Sequence, residues 1–187
     1  MNDLNRDEQT LENAFSLIIG EFLKGNLNTA LVGMVSAFDG KNRVTVQPVV
    51  NRKYTGQDGK PLPPIADVPI SFPGAGDYWL TFPIEKGTWV LLLCSQRSID
   101  AWKNGDGQPN DPTTPRRFSM SDAIAIPGVV PFGSSFDVGG GLELRNKAGD
   151  VRIAIDGKVL TMTNGTGTIE IGDDGTANIN GHLTVGA

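Results

Sequence analysis

The chain has 187 residues, the length of one domain or slightly more, with 16 Lys and Arg against 21 Asp and Glu and a formal net charge of -5. That acidity argues against a nucleic-acid binder that works by neutralising phosphates, and one His (His182) and one Cys (Cys94) leave too little for a catalytic triad, a histidine-rich zinc site or an internal disulfide. The longest dense apolar run, Trp89 to Cys94, is far short of the ~20 residues that cross a bilayer, and the first residues do not have the pattern of a signal peptide.

From residue 7 to residue 24, Leu11, Ala14, Phe15, Ile18 and Phe22 recur at spacings of three and four, with Ile19 and Leu23 beside them. This predicts a helix with a broad apolar stripe. Asp7, Glu8 and Glu12 favour its start and Gly25 offers a stop. The stripe either packs on its own domain or docks on a neighbouring subunit or protein.

Residues 29–133 read as mostly strand. Ala30 to Ala37 and Arg43 to Val50 are two runs joined by a hairpin turn at Asp39-Gly40. Tyr54 to Pro64 is a loop. Strands are expected at Val68–Pro73, Tyr78–Pro83 and, buried, Trp89–Cys94, with a short helix over Ser98–Lys103 and a long loop from Asn104 to Pro115. Arg117 to Ile126 closes the segment. About five short strands divided by turns suggest a small barrel.

All 12 Pro lie at or before Pro131 and every aromatic residue at or before Phe136, so the chain changes character near residues 132–141. Beyond, Asp156-Gly157, Asn164-Gly165, Asp174-Gly175 and Asn180-Gly181 are turn dipeptides between short alternating strands. Their same-parity apolar residues are Leu142 and Leu144; Val151, Ile153 and Ile155; Ile169 and Ile171; and Ile179, Leu183 and Val185. A segment of this size without aromatics buries too little to offset backbone ordering at ~1–2 kcal/mol per residue. Its stripes call for identical stripes from other copies, and three chains round one axis is the simplest arrangement. A loose meander packed on the barrel is the other reading. Together these observations divide the chain into a helix and linker (1–28), a barrel (29–133) and a strand tail (134–187).

Three blocks carry a resemblance. They are Phe82 to Leu93, then Arg97-Ser98-Ile99-Asp100-Ala101-Trp102, then Arg116-Arg117-Phe118-Ser119-Met120-Ser121-Asp122-Ala123-Ile124-Ala125-Ile126-Pro127-Gly128. With the Gly-rich tail they make the chain resemble the membrane-piercing central spikes of contractile-tail phage baseplates. The resemblance implies a mainly β fold: an N-terminal helix, an OB-fold hub, and a C-terminal triple-stranded β-helix needle formed by a homotrimer. It implies a virion protein of the tail baseplate, made in the bacterial host cytoplasm. It implies a mechanical role, joining the tail tube to a needle forced through the host outer membrane on sheath contraction. No catalysis and no cofactor are expected. The expected partners are the other two copies, tail-tube or baseplate hub proteins, and the outer membrane in passing. Leu11, Phe15, Ile18 and Phe22 are then candidates for the tube-end or subunit contact, and the tail stripes for the needle core. Many such spikes hold iron at the tip through His-x-His pairs. Here His182 stands alone, with parity opposite to the stripe, so no metal site is expected and a separate tip-capping protein is suggested.

Other chemistry is thinly supported. Cys94 reads as a buried inert thiol, and Asn164-Gly165-Thr166 as a turn rather than a glycosylation acceptor. Asp173-Asp174 lacks the spacing of a calcium loop. Glu85 with Asp77, or Glu143 with Asp150, can be imagined as a glycosidase pair, but nothing in the sequence fixes the carboxylate separation that chemistry requires. Arg43, Arg52, Lys53, Tyr54 and Lys60 are the one basic cluster near an aromatic, which keeps open an OB-fold module that binds nucleic acid or protein.

Overall fold

The computed structural model describes residues 11–53, 56 and 58–181, with residues 11, 12, 21 and 24–26 as backbone only. The chain divides into two compact units, Met1–Val129 and Val130–Ala187.

The first unit opens with helix α1 (Leu11–Asn26). It runs past Gly25, the expected stop, and the chain turns at Asn28, whose backbone and side-chain N–H groups both donate to the Phe118 carbonyl. Seven strands follow: β1 (Ala30–Phe38), β2 (Arg43–Pro48), β3 (Ile65–Pro69), β4 (Gly74–Ala75), β5 (Tyr78–Trp79), β6 (Trp89–Cys94) and β7 (Ala123–Pro127). Helix α2 (Asp100–Asn104) lies between β6 and β7. The β1–β2 turn forms as expected. Gly40 takes φ 82°, and the Asp39 carboxylate accepts the N–H groups of Lys41 and Arg43 at 2.8 and 3.1 Å. Those bonds hold the Asp39 carboxyl below its ordinary range.

Five strands pair antiparallel in the order β3-β2-β1-β6-β7. The sheet curls into a half-barrel, and its two edges meet where Ile70 bridges Ala125 in parallel and the Ser71 N–H donates to the Ala125 carbonyl at 2.8 Å. Period-two alternation sends Val35, Val44, Val46, Val68, Val90 and Leu92 into one fully buried core. Gly33 of β1 stands against it: a Cβ there would lie 2.3 Å from Val46 Cγ1. Gly33→Ala is therefore expected to lower the stability of this unit by about 1–3 kcal/mol through overpacking, measured as a lower denaturant midpoint.

Three strand expectations shift. The run Val68–Pro73 is strand only to Pro69, and β3 starts earlier, at Ile65. Of Tyr78–Pro83 only Tyr78–Trp79 is strand, in a two-stranded hairpin with β4 that stands in solvent. The second run of the first hairpin ends at Pro48, leaving Val49 and Val50 outside it and exposed.

The second unit is a meander of β8 (Leu142–Arg145), β9 (Val151–Asp156), β10 (Val159–Asn164), β11 (Thr168–Ile171) and β12 (Ala177–Asn180), each antiparallel to the next. The turn dipeptides do what their chemistry requires. Asn164 Oδ1 accepts the N–H groups of Thr166 and Gly167, and Gly165 takes φ 85°. Where a three-chain β-helix was expected, the structure describes this five-stranded antiparallel meander of a single chain.

Candidate functional site

In the meander, register turns scattered residues into a surface. Leu142, Ile155, Leu160, Ile171 and Ala177 stand in one cross-strand row. Leu144, Ile153, Met162, Ile169 and Ile179 stand in the next. Val151 extends the same face of β9. Nothing among the described residues covers these rows: Leu144 is 54 % exposed, Ile153 41 %, Ile169 46 % and Ile179 51 %. Leu144, Val151, Ile153, Met162, Ile169 and Ile179 border a broad hollow of about 760 Å³. Among the described residues of this unit the only buried apolar one is Ala154, which lies on the other face. A sheet with one apolar face and no core of its own marks an interaction surface.

The opposite face is polar. Arg145 and Arg152 face each other across β8 and β9, a like-charge pair that is unfavourable by itself. Glu143 resolves it, with oxygens 3.1 Å from Arg145 and 3.8 Å from Arg152. The Arg145 guanidinium also lies 5.8 Å from the centre of the Phe136 ring.

The structure thus brings together eight of the ten residues expected in the needle core. Leu183 and Val185 lie outside the described residues, as does His182. Leu160 and Met162 belong to the same face but were not read from the sequence. Adjacent Val159 and Leu160 blur the alternation of β10, and the thin signal left is Leu-Thr-Met-Thr.

The helix candidates fall on α1. Phe15, Ile18 and Phe22 stand on one stripe with exposed side chains, and Leu11 takes the first helical position. None of the described residues in α1 is buried.

A cluster that the sequence quoted only as a motif proves to be a buried ion network. Asp122, fully buried, accepts Arg116 Nε at 2.7 Å, Arg116 Nη2 at 3.0 Å and the Ile99 N–H at 3.0 Å. Arg116 also binds Asp100, and Lys103 joins Asp100 to the Ser121 carbonyl. Burial by itself would raise the Asp122 carboxyl, but the bonds from Arg116 and Ile99 outweigh it and hold it below the usual range. The network fixes α2 and the 3-10 turn Met120–Asp122 at the end of β6, where the Ser95 N–H donates to the Asp122 carbonyl.

The remaining candidates are placed as follows. Cys94 is buried, and burial, then the Asp122 charge, pushes its thiol up. Asp150 accepts Asn146 Nδ2 at 2.6 Å, which lowers its carboxyl, whereas a glycosidase acid needs a raised one. Asp174 accepts the Thr176 N–H within its turn. Of the basic cluster, Arg43 pairs with Asp67 at 3.3 Å, Arg52 bridges Lys60 through the backbone, and Tyr54 lies outside the described residues. Among the described residues no group of three His, Cys, Asp or Glu could hold a metal ion, and no helix is long and apolar enough to cross a membrane.

A curled β unit joined to a sheet with an uncovered apolar face has the build of a structural protein. Residues 31–128, just over half of the chain and spanning β1 to β7, match the phage protein Gp138 N-terminal domain. The chain belongs to that family: it is a phage structural protein, a component of the virion. No curated protein matches it.

Proposed function

We propose that this chain is the central spike of a contractile tail baseplate, in a phage or a phage-like bacteriocin, and acts as a homotrimer that pierces the host outer membrane. The observation that carries this reading is the two-row apolar face of β8–β12, exposed along its length in a unit with no core of its own. Three such faces turned to one axis form a β-helical needle with a continuous apolar core and a polar outside. Threefold closure also covers strand edges that a lone meander leaves open. Interlocked strands are stiff, and stiffness, not chemistry, is what a driven needle requires, so we assign no catalysis and no cofactor.

The first unit serves as the hub. Its strand order, with one parallel contact between β3 and β7, fits an OB-fold barrel. The exposed stripe of α1, with Phe15, Ile18 and Phe22, then meets a neighbouring subunit or a tail-tube or baseplate hub protein above, and Leu11 at the first helical position is a further candidate for that contact. A separate protein caps the tip. The test is mass in solution by light scattering, with sedimentation for shape. Three times 19.9 kDa in an elongated particle is expected. A compact monomer would overturn the reading and leave a small β-barrel binding module.

A further inference from the structure

The first unit carries a cleft that the spike role does not use. It has a volume of about 370 Å³, at the low end of the ~300–1,000 Å³ of small-molecule sites. One wall is the end of the β1–β2 turn with β3, contributing Asn42, Arg43 and Asp67; the other is α2, contributing Asp100, Trp102 and Lys103. Barrels with this strand order bind oligonucleotides or oligosaccharides beside the corresponding loops.

The charges in the cleft decide between those two ligands. Both cations are already engaged, Arg43 with Asp67 at 3.3 Å and Lys103 with Asp100 at 3.2 Å. Two cations against two carboxylates leave no net charge to neutralise a phosphate. The same pairings leave neither carboxylate free for a metal ion.

The groups that remain open are neutral. Trp102 lies 44 % exposed on the cleft wall, and neither its indole N–H nor the Asn42 side-chain amide has a hydrogen-bond partner among the described residues. Asn104 spends its Nδ2 on the Asp100 carbonyl and keeps its Oδ1. Gly107, with φ 80°, lies beside the indole: a Cβ there would stand 3.9 Å from Trp102 Nε1, in ordinary van der Waals contact.

A half-exposed indole beside amide donors and acceptors suits a ligand with C–H faces and hydroxyl edges. The geometry points to a binding site for a short neutral oligosaccharide in this cleft, with Trp102 as the stacking platform and Asn42 as a hydroxyl partner.

The test uses the full chain and saturation-transfer NMR with maltotriose, cellotriose, chitotriose and mannotriose, and oligothymidylate as the competing class. Transfer to at least one trisaccharide is expected. Trp102→Ala and Asn42→Ala should each weaken it about tenfold, with the circular dichroism of the fold unchanged. Asn42→Ala removes only an exposed side chain, so it remains informative should Trp102→Ala unfold the unit. No transfer to any of the four sugars would overturn the proposal. So would transfer that survives both substitutions, or salt-dependent binding of oligothymidylate in place of the sugars.

Discussion

Ile153→Asp is expected to convert the proposed three-chain particle to single chains while the first unit stays folded. Ile153 is the middle of the apolar face: it stands on β9 between Leu144 of β8 and Met162 of β10. In a single chain it is 41 % exposed, so a carboxylate there meets water and the meander tolerates it. In the proposed trimer the same position faces the axis, and three carboxylates would be brought together in a low-dielectric core. Desolvation costs several kcal/mol per ion and like charges add to it, which exceeds what one isoleucine contributes to the contact. Thr161→Lys is the control. Thr161 lies on the polar face between Ala154 and Glu170, and its replacement should leave the mass unchanged. The readout is light scattering of both variants beside the parent chain. Unchanged trimer mass for Ile153→Asp would mean that this face is turned to water in the assembly, and the needle core would have to be sought elsewhere.

Legibility followed how much of each element is decided locally. The β1–β2 hairpin was readable because Asp39-Gly40 fixes both its angles and its hydrogen bonds within five residues. Strand β6 kept both expected ends, and the tail stripes were readable from parity, since a period of two needs no knowledge of partners. Where long-range packing decides, the reading slipped. Strand β3 holds Asp67 at φ 56° and shifts register against β2, so Ile65 and Val68 do not show the even alternation that marks a strand. Tyr78 and Trp79 have strand-like composition, yet their hairpin exists because Gly74 leaves room for the Trp79 ring: a Cβ there would meet it at 2.5 Å. The tail showed that its residues need partners, but the pairing of Leu160 and Met162 with Ile155, Ile153, Ile171 and Ile169 became visible only in the register. Asp122 is the sharpest case. In sequence it is one acid in a polar run, and only the fold takes it out of water and sets Arg116 against it.

That pairing gives the second large effect. Arg116→Met is expected to destabilise the first unit by about 3–5 kcal/mol, the cost of leaving a buried charge without its partner. The methionine keeps length and apolar bulk, so the loss reports the charge rather than a cavity. Asp122→Asn in the Arg116→Met background should recover much of it, because the orphaned charge is then gone; an additive double variant would mean that the two residues do not act as a pair. The pH dependence should invert as well. In the parent chain the Asp122 and Asp100 carboxyls sit below their unfolded values. Their contribution is therefore complete above about pH 4, the unfolded carboxyl value, and is lost as pH falls through the folded values. In Arg116→Met, Asp122 keeps its burial and loses its principal counter-charge, so its folded pKa rises above the unfolded one. The folded state then binds the proton more readily, and the Asp122 contribution grows as pH falls through that raised value towards 4. Urea unfolding of parent and variant across about pH 2 to 7 reads both slopes. The same slope in the two proteins would show that the Asp122–Arg116 pair is not what ties α2 and the turn Met120–Asp122 to the end of β6.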